Sequence, residues 1–237
     1  MVELTNMKNK QELKYIIKKL KSLSNPKNRE GMTRFGINPN NTLGVSIPIL
    51  RKMAKDIGKN HDLALELWDS EIHEARILAG LIDSVSLVTR KQMDSWAKDF
   101  DSWDVCDQVC MNLFDKTEFA FDKAKEWTKS KEEFVRRAGF ALMASLAFHD
   151  KKAKDKEFIK FLPLIKRYST DERNFVRKAV NWALRQIGKR NCYLNGEAIK
   201  IAKEIQRIDS RSAKWIAGDA LRELSSKAVK KRIKVRA

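Results

Sequence analysis

Glycine and proline are scarce in this chain. Nine Gly and four Pro in 237 residues are too few for the many turns of an all-β domain. The stretches between them are rich in Ala, Leu, Lys, Glu and Arg, the strong helix formers, so helix is expected nearly throughout. Cysteine is scarcer still. Cys106, Cys110 and Cys192 are an odd number and suit a reducing cytoplasm. Cys106 and Cys110 stand four apart, yet no further Cys or His sits at ligand spacing, and His61, His73 and His149 are scattered. Two packed thiols are expected there, with no metal and no cofactor. Long apolar runs are also missing: none reaches the length of a membrane span, and the N-terminal MVELTNMKNK has no signal-peptide apolar segment. The expectation is a cytoplasmic chain without a membrane partner.

What the sequence does have is positive charge. Lys plus Arg number 49 against 31 Asp plus Glu, a net charge of +18. A surplus of that size is unusual for a small-molecule enzyme and binds polyanions through counterion release, although a merely solubilising surface would show it too. Hydrophobic residues make up 43%, enough for a sizeable core. The basic run Lys227–Arg236 reads as a solvated tail or an auxiliary phosphate contact.

Helical periodicity organises the chain. An amphipathic helix from Gln11 to Leu23 carries Leu13, Ile16, Ile17 and Leu20 on one stripe. Residues 25–46, with Pro26, Gly31, Gly36, Pro39 and Gly44, read as irregular. Ser46 followed by Pro48 reads as the start of the next helix. Further helices are expected at 61–69, 71–83, 89–99, 102–114, 117–130, 131–148, 155–168, 171–190, 195–208 and 210–224. Phe134-Val-Arg-Arg-Ala138 recurs as Phe175-Val-Arg-Lys-Ala179, a spacing of 41, with echoes at Glu74–Ala79 and Trp215–Arg222. Periods near 40 with two helices per unit mark HEAT-like repeats. The expected fold is therefore an all-α HEAT-like helical-repeat solenoid with a basic concave groove. It would form one domain over 1–237, a monomer, with 225–237 a basic C-terminal helix or tail.

Three helices carry candidate contact residues. In 171–190 the core stripe leaves Trp182 off-centre beside Lys178, Arg185 and Lys189; an indole on a basic face suits deoxyribose or base contact, or else packs against the next repeat. In 131–148 Arg137 occupies the position equivalent to Lys178, with small neighbours Ala141 and Ala144 leaving room for a partner to approach. In 102–114 Trp103 and Asp107 share a flank away from the apolar stripe. An acid there repels phosphate, so it signals either a chemical task or a local salt bridge. Trp68, Trp96 and Trp127 fall on core positions, and Trp215 receives no role.

Three motifs, Asp101-Ser-Trp-Asp-Val-Cys-Asp107, Phe134-Val-Arg-Arg-Ala138 and Phe175–Arg185, resemble in order and spacing those of the HEAT-like alkylpurine DNA glycosylases, the AlkD-like DNA alkylation repair proteins. The resemblance spans roughly residues 30–190. It implies a monofunctional, hydrolytic DNA glycosylase acting on duplex DNA with alkylated purines. Asp107 would be the catalytic aspartate, Trp103 and Trp182 the sugar-contacting tryptophans, and Arg137 the active-site arginine. An aromatic contact that is usually tyrosine in that family would fall on Phe35. The Val-Cys pair before Asp107 departs from the family pattern and suggests a divergent branch. The family is described as working without base flipping, and the sequence itself shows neither a wedge nor a base pocket. The alternatives are a non-catalytic HEAT-like module binding DNA or structured RNA and, third, a protein-interaction scaffold.

Overall fold

In the computed structural model the described residues are 2–234, with side chains described from residue 10 onward. All regular structure among them is helical, and no described helix is long and apolar enough to cross a membrane. The chain divides into two compact units, Met1–Thr117 and Glu118–Ala237.

The first unit holds α1 (Val2–Ser22), α2 (Pro26–Arg34), α3 (Ile47–Ile57), α4 (His61–Asp69), α5 (His73–Ile82), α6 (Arg90–Lys98) and α7 (Trp103–Asn112). Helix α1 begins well before Gln11, and of its stripe Ile16 and Leu20 are fully buried while Leu13 and Ile17 are half-buried. Its core gathers Leu63, Leu67, Leu78, Ile82 and Val109, all fully buried. Trp68 and Trp96 lie inside it as expected, stacked with ring centres 4.0 Å apart and planes 1° from parallel. Cys106 and Cys110 are buried thiols.

Residues 25–46 are not wholly irregular, because α2 occupies Pro26–Arg34. The Asn25 side chain caps it by accepting from the Asn28 N–H, with Pro26 in the first turn. No residue of α2 is buried, so it lacks the apolar stripe by which sequence periodicity detects a helix. The following loop, 35–46, is the irregular part. Ser46 does stand at the N-cap position of α3, but its side chain makes no capping bond.

The second unit holds α8 (Ala120–Trp127), α9 (Glu133–His149), α10 (Asp155–Ile159), α11 (Leu162–Arg167), α12 (Asn174–Gly188), α13 (Cys192–Gln206), α14 (Arg211–Leu224) and α15 (Lys227–Lys234). The single helix expected at 155–168 is broken, with Pro163 opening α11, since proline lacks the N–H that would continue the preceding helix. Basic α15 is helical to Lys234; residues 235–237 of the expected tail lie outside the described residues. The repeated motifs meet in space: Phe134 of α9 and Phe175 of α12 pack with ring centres 5.4 Å apart. Trp127 is buried, as expected.

Gly44 adopts φ +82°, and a Cβ there would lie 2.3 Å from the Asn25 carbonyl oxygen. Gly44→Ala therefore combines a disfavoured backbone region with a clash and should destabilise by roughly 2–4 kcal/mol. Gly31→Ala in α2, where a Cβ meets nothing within 4 Å, should stabilise by about 0.5–1 kcal/mol. Thermal unfolding of the two variants checks both signs.

Candidate nucleic-acid interface

The loop 35–46 is built from hydrogen bonds that reach far along the chain. Glu74, fully buried in the first turn of α5, accepts from three successive backbone amides: Leu43 (2.9 Å), Gly44 (2.6 Å) and Val45 (3.2 Å). An anion ringed by oriented N–H groups is strongly held, each charge-assisted bond being about twice as strong as a neutral one. Asn25 N–H donates to the Leu43 carbonyl (2.8 Å), and Asn28 Nδ2 donates to that of Gly44 (3.0 Å). The loop's other end is tied to α7. Asn38 N–H donates to Ser102 Oγ (2.9 Å) and Asn38 Nδ2 to Asp101 Oδ2 (2.8 Å). Ser102 is the N-cap residue of α7 but makes no side-chain capping bond; its hydroxyl accepts from the loop instead.

This anchoring brings together two of the residues singled out in the sequence. Trp103 Nε1 donates to the Phe35 carbonyl at 3.1 Å, and the Phe35 ring stands 75% exposed beside it. Asp107 follows Trp103 by one turn of α7, and both are half-buried. Between α2, the loop, α5 and α7 lies a cavity of about 820 Å³, with Met32, Phe35, Ile47, Ile77 and Trp103 among its walls. The sequence showed no pocket, and this cavity escapes local pattern because its walls come from four separate segments.

His73, Asp104 and Gln108 also line this cavity, and sequence reasoning missed all three. His73 Nε2 lies 2.8 Å from Asp104 Oδ2; a carboxylate only accepts, so the imidazole carries the proton there. Asp104 Oδ1 is buried without a donor. Burial works against the charged imidazole, but the Asp104 hydrogen bond and the charges of Asp104, Glu74 and Asp101 outweigh it and raise the His73 pKa. The one signal in the sequence was the i, i+4 spacing of Asp104 and Gln108 beside Trp103, overshadowed by Asp107 in the same motif.

The second unit carries the remaining candidates. Lys178 is exposed and Trp182 half-buried on α12. Arg185 and Lys189 face α14 rather than open solvent: both hydrogen-bond to Glu223, Lys189 at 2.7 Å, and Arg185 Nε lies 3.5 Å from Asp219 Oδ2. Burial alone would raise the Glu223 pKa; the bonds from Lys189 and Arg185 lower it. Arg137 is 5% exposed, and its Nη1 donates to the Phe175 carbonyl at 2.6 Å. Ala141 and Ala144 are fully buried, so the expected room beside Arg137 is filled by the protein. The helical wheel of α9 could not show this, because the acceptor is backbone on α12. Trp215, given no role from sequence, is 41% exposed with the Arg177 guanidinium 5.1 Å from its ring centre.

Because folding raises the His73 pKa, its pairing with Asp104 contributes fully to stability below pH 6.5, the imidazole's ordinary value. That contribution is lost as pH climbs through the raised value. Chemical denaturation across that window should show stability declining with pH in the wild type, with a flatter profile in His73→Gln.

One solved structure aligns with the chain at TM-score 0.75 and 20% identity, covering 89% of this chain and 94% of the other. It is described as a new family of proteins related to the HEAT-like repeat DNA glycosylases with affinity for branched DNA structures. At that identity the likeness establishes the fold, which is all-α and HEAT-like. None of the curated proteins matches the chain. The family model of the DNA alkylation repair enzymes matches residues 16–230, nearly the whole sequence, and the chain belongs to that family.

Proposed function

We propose that the protein is a DNA repair glycosylase that hydrolyses the N-glycosidic bond of cationic N3- or N7-alkylated purines in duplex DNA. Within a DNA alkylation repair family, the observation that carries this reading is on α7. Trp103 and Asp107 stand one turn apart, both half-buried, and the indole is tethered in place by the Phe35 carbonyl. Alkylation at N3 or N7 makes the base cationic and already a good leaving group, so the reaction needs no general acid. The C1′–N bond breaks with its electron pair leaving on the base, which becomes neutral. Positive charge develops on the deoxyribose, where a nearby carboxylate stabilises it. Asp107 supplies that carboxylate and positions the water, whose oxygen bonds to C1′ while its proton passes to Asp107 or to solvent. The face of Trp103 adds roughly 0.5–2 kcal/mol of attraction for the cationic nucleotide, and Trp182, on the second unit, is in this reading a further aromatic contact to DNA.

Exposed Lys178 is the phosphate contact in this scheme, and Arg185 and Lys189 join it by exchanging Glu223 for phosphate. Arg137 holds α9 to α12 and so positions the helix that carries Trp182. The protein acts as a cytoplasmic monomer.

A base-release assay on duplex DNA containing N7-methylguanine tests the chemistry. Wild type should release the base, and Asp107→Asn should lose about 100-fold or more of that activity while binding DNA as well or better. Equal release by both would remove Asp107 from the reaction. Glu223→Gln, which removes the charge that holds Lys189 and one of the two that hold Arg185, should tighten duplex binding at low salt. The slope of log affinity against log salt should steepen by about one for each freed cation that reaches a phosphate.

A second reading is a non-catalytic DNA-binding module, favoured by the affinity for branched DNA described for the structural relative. No base release, together with tighter binding to a four-way junction than to duplex, would select it.

A further inference from the structure

The cavity of the first unit holds polar side chains that the proposed hydrolysis does not use. Its volume, about 820 Å³, falls in the range of small-ligand sites. Its walls are largely apolar, with two aromatic side chains, Phe35 and Trp103, at the side formed by the loop and α7. Phe35 is one of the most exposed large apolar residues of the chain, at 75%, and leaving that ring in water forfeits its burial energy. Three polar side chains converge on the same space: His73, Asp104 and Gln108. At the rim stand the cations Lys27 and Arg34.

The polar end is built with one acceptor too many. Asp104 accepts from His73 through Oδ2 at 2.8 Å, and Oδ1 is buried without a donor. An unsatisfied buried carboxylate oxygen is costly, on the order of 1–3 kcal/mol or more. Asp104 itself lines the cavity, and a carboxylate oxygen that accepts one hydrogen bond keeps a lone pair for a second. Gln108, one turn along α7, has its carbonyl oxygen engaged by Asn112 Nδ2 at 3.1 Å, which leaves its amide nitrogen as a donor to a ligand. The cavity is therefore lined by a carboxylate and a carboxamide on residues one turn apart in α7, together with two aromatic side chains. A planar heterocycle bearing an amino N–H next to a ring or carbonyl acceptor fits that pattern. A nucleobase is read in this way when out of its stack, by its hydrogen-bonding edge and by stacking.

We propose that the cavity lined by Phe35, Trp103, His73, Asp104 and Gln108 is a binding site for a purine nucleobase, with Lys27 and Arg34 meeting its phosphate. The base stacks on Phe35 and Trp103, donates an N–H to Asp104 and accepts from Gln108. His73 is a positioning residue that fixes the Asp104 carboxylate. The chemistry is the same whether the purine belongs to a free nucleotide or to a base turned out of DNA. The site requires no hydrolysis and no part of Asp107; it shares the aromatic residues Trp103 and Phe35 with the glycosylase reading, but its occupancy is read without base release.

The test has two arms, both on the full chain. In the first, AMP, GMP and CMP are titrated calorimetrically into the wild type, Asp104→Asn and Phe35→Ala. In the second, the same three proteins bind duplex DNA with one 2-aminopurine opposite a mismatch, and the probe's emission is followed. Expected is capture of purine in at least one arm, with CMP weaker than the purine nucleotides. Asp104→Asn should weaken capture about 10-fold or more and Phe35→Ala about 5-fold or more. Because Phe35 is mostly exposed, its variant separates lost stacking from lost folding. Binding in the first arm alone identifies a free nucleotide, and a signal in the second alone identifies a base of DNA. Silence in both arms overturns the proposal, as does capture that neither substitution alters. Neither arm reads base release, so failure here is distinct from failure of the hydrolysis.

Discussion

The first unit depends on a buried carboxylate. Glu74 has no cationic partner in the bonds that hold it; its charge is met by three consecutive backbone N–H groups of the loop. Removing a carboxylate from water without such partners would be prohibitive, and leaving three loop amides unpaired would be costly as well. Each side thus makes the other tolerable. With residues 43–45 fixed on α5, and Asn38 fixed on Asp101 and Ser102, the intervening chain has little freedom. The path of residues 39–42 follows from that constraint, and just before it the Phe35 carbonyl holds the Trp103 indole.

The second unit is held together differently. Its repeats meet through like elements placed at a fixed period: Phe134 on Phe175, Arg137 on the Phe175 carbonyl, and Asn181 Nδ2 on the Ile216 carbonyl at 3.2 Å. Arginines at equivalent positions of successive repeats find aromatic rings, Arg136 over Tyr168 and Arg177 over Trp215. Several cations that give the sequence its basic character are thereby committed to internal contacts. The net charge consequently overstates the number of cations that stand ready for a polyanion, and the ion pairs of Arg185 and Lys189 with Glu223 make the same point.

Much of this was legible in the sequence, for physical reasons. Apolar periodicity found the helices with a buried face, and the 41-residue recurrence found the repeats, because both patterns are local. Trp68, Trp96 and Trp127 could be assigned to the core from their helical phase alone. Trp103 and Asp107 stood out by their shared flank away from the apolar stripe, Phe35 was reached through motif resemblance, and Trp103 and Phe35 share the Nε1–carbonyl bond. What escaped was everything carried by distant backbone. Helix α2 hides because it buries nothing; Arg137 is buried by a carbonyl 38 residues away; and the His73–Asp104 pair joins helices 31 residues apart. A helical wheel gives the direction of a side chain but not what its neighbour offers there.

The way the loop is fastened also has a consequence for how such a sequence can drift over evolutionary time. Glu74 grips peptide N–H groups, which every amino acid except proline supplies, so most side chains at 43 and 45 are invisible to the grip. Substitutions would accumulate at half-buried 43 and, within apolar residues, at buried 45, while Glu74 and Gly44, each needed for a reason no other residue meets, would change last. Relatives sharing this architecture would then display a loop of nearly unrelated sequence and nearly identical shape, with proline the one residue shut out of its centre.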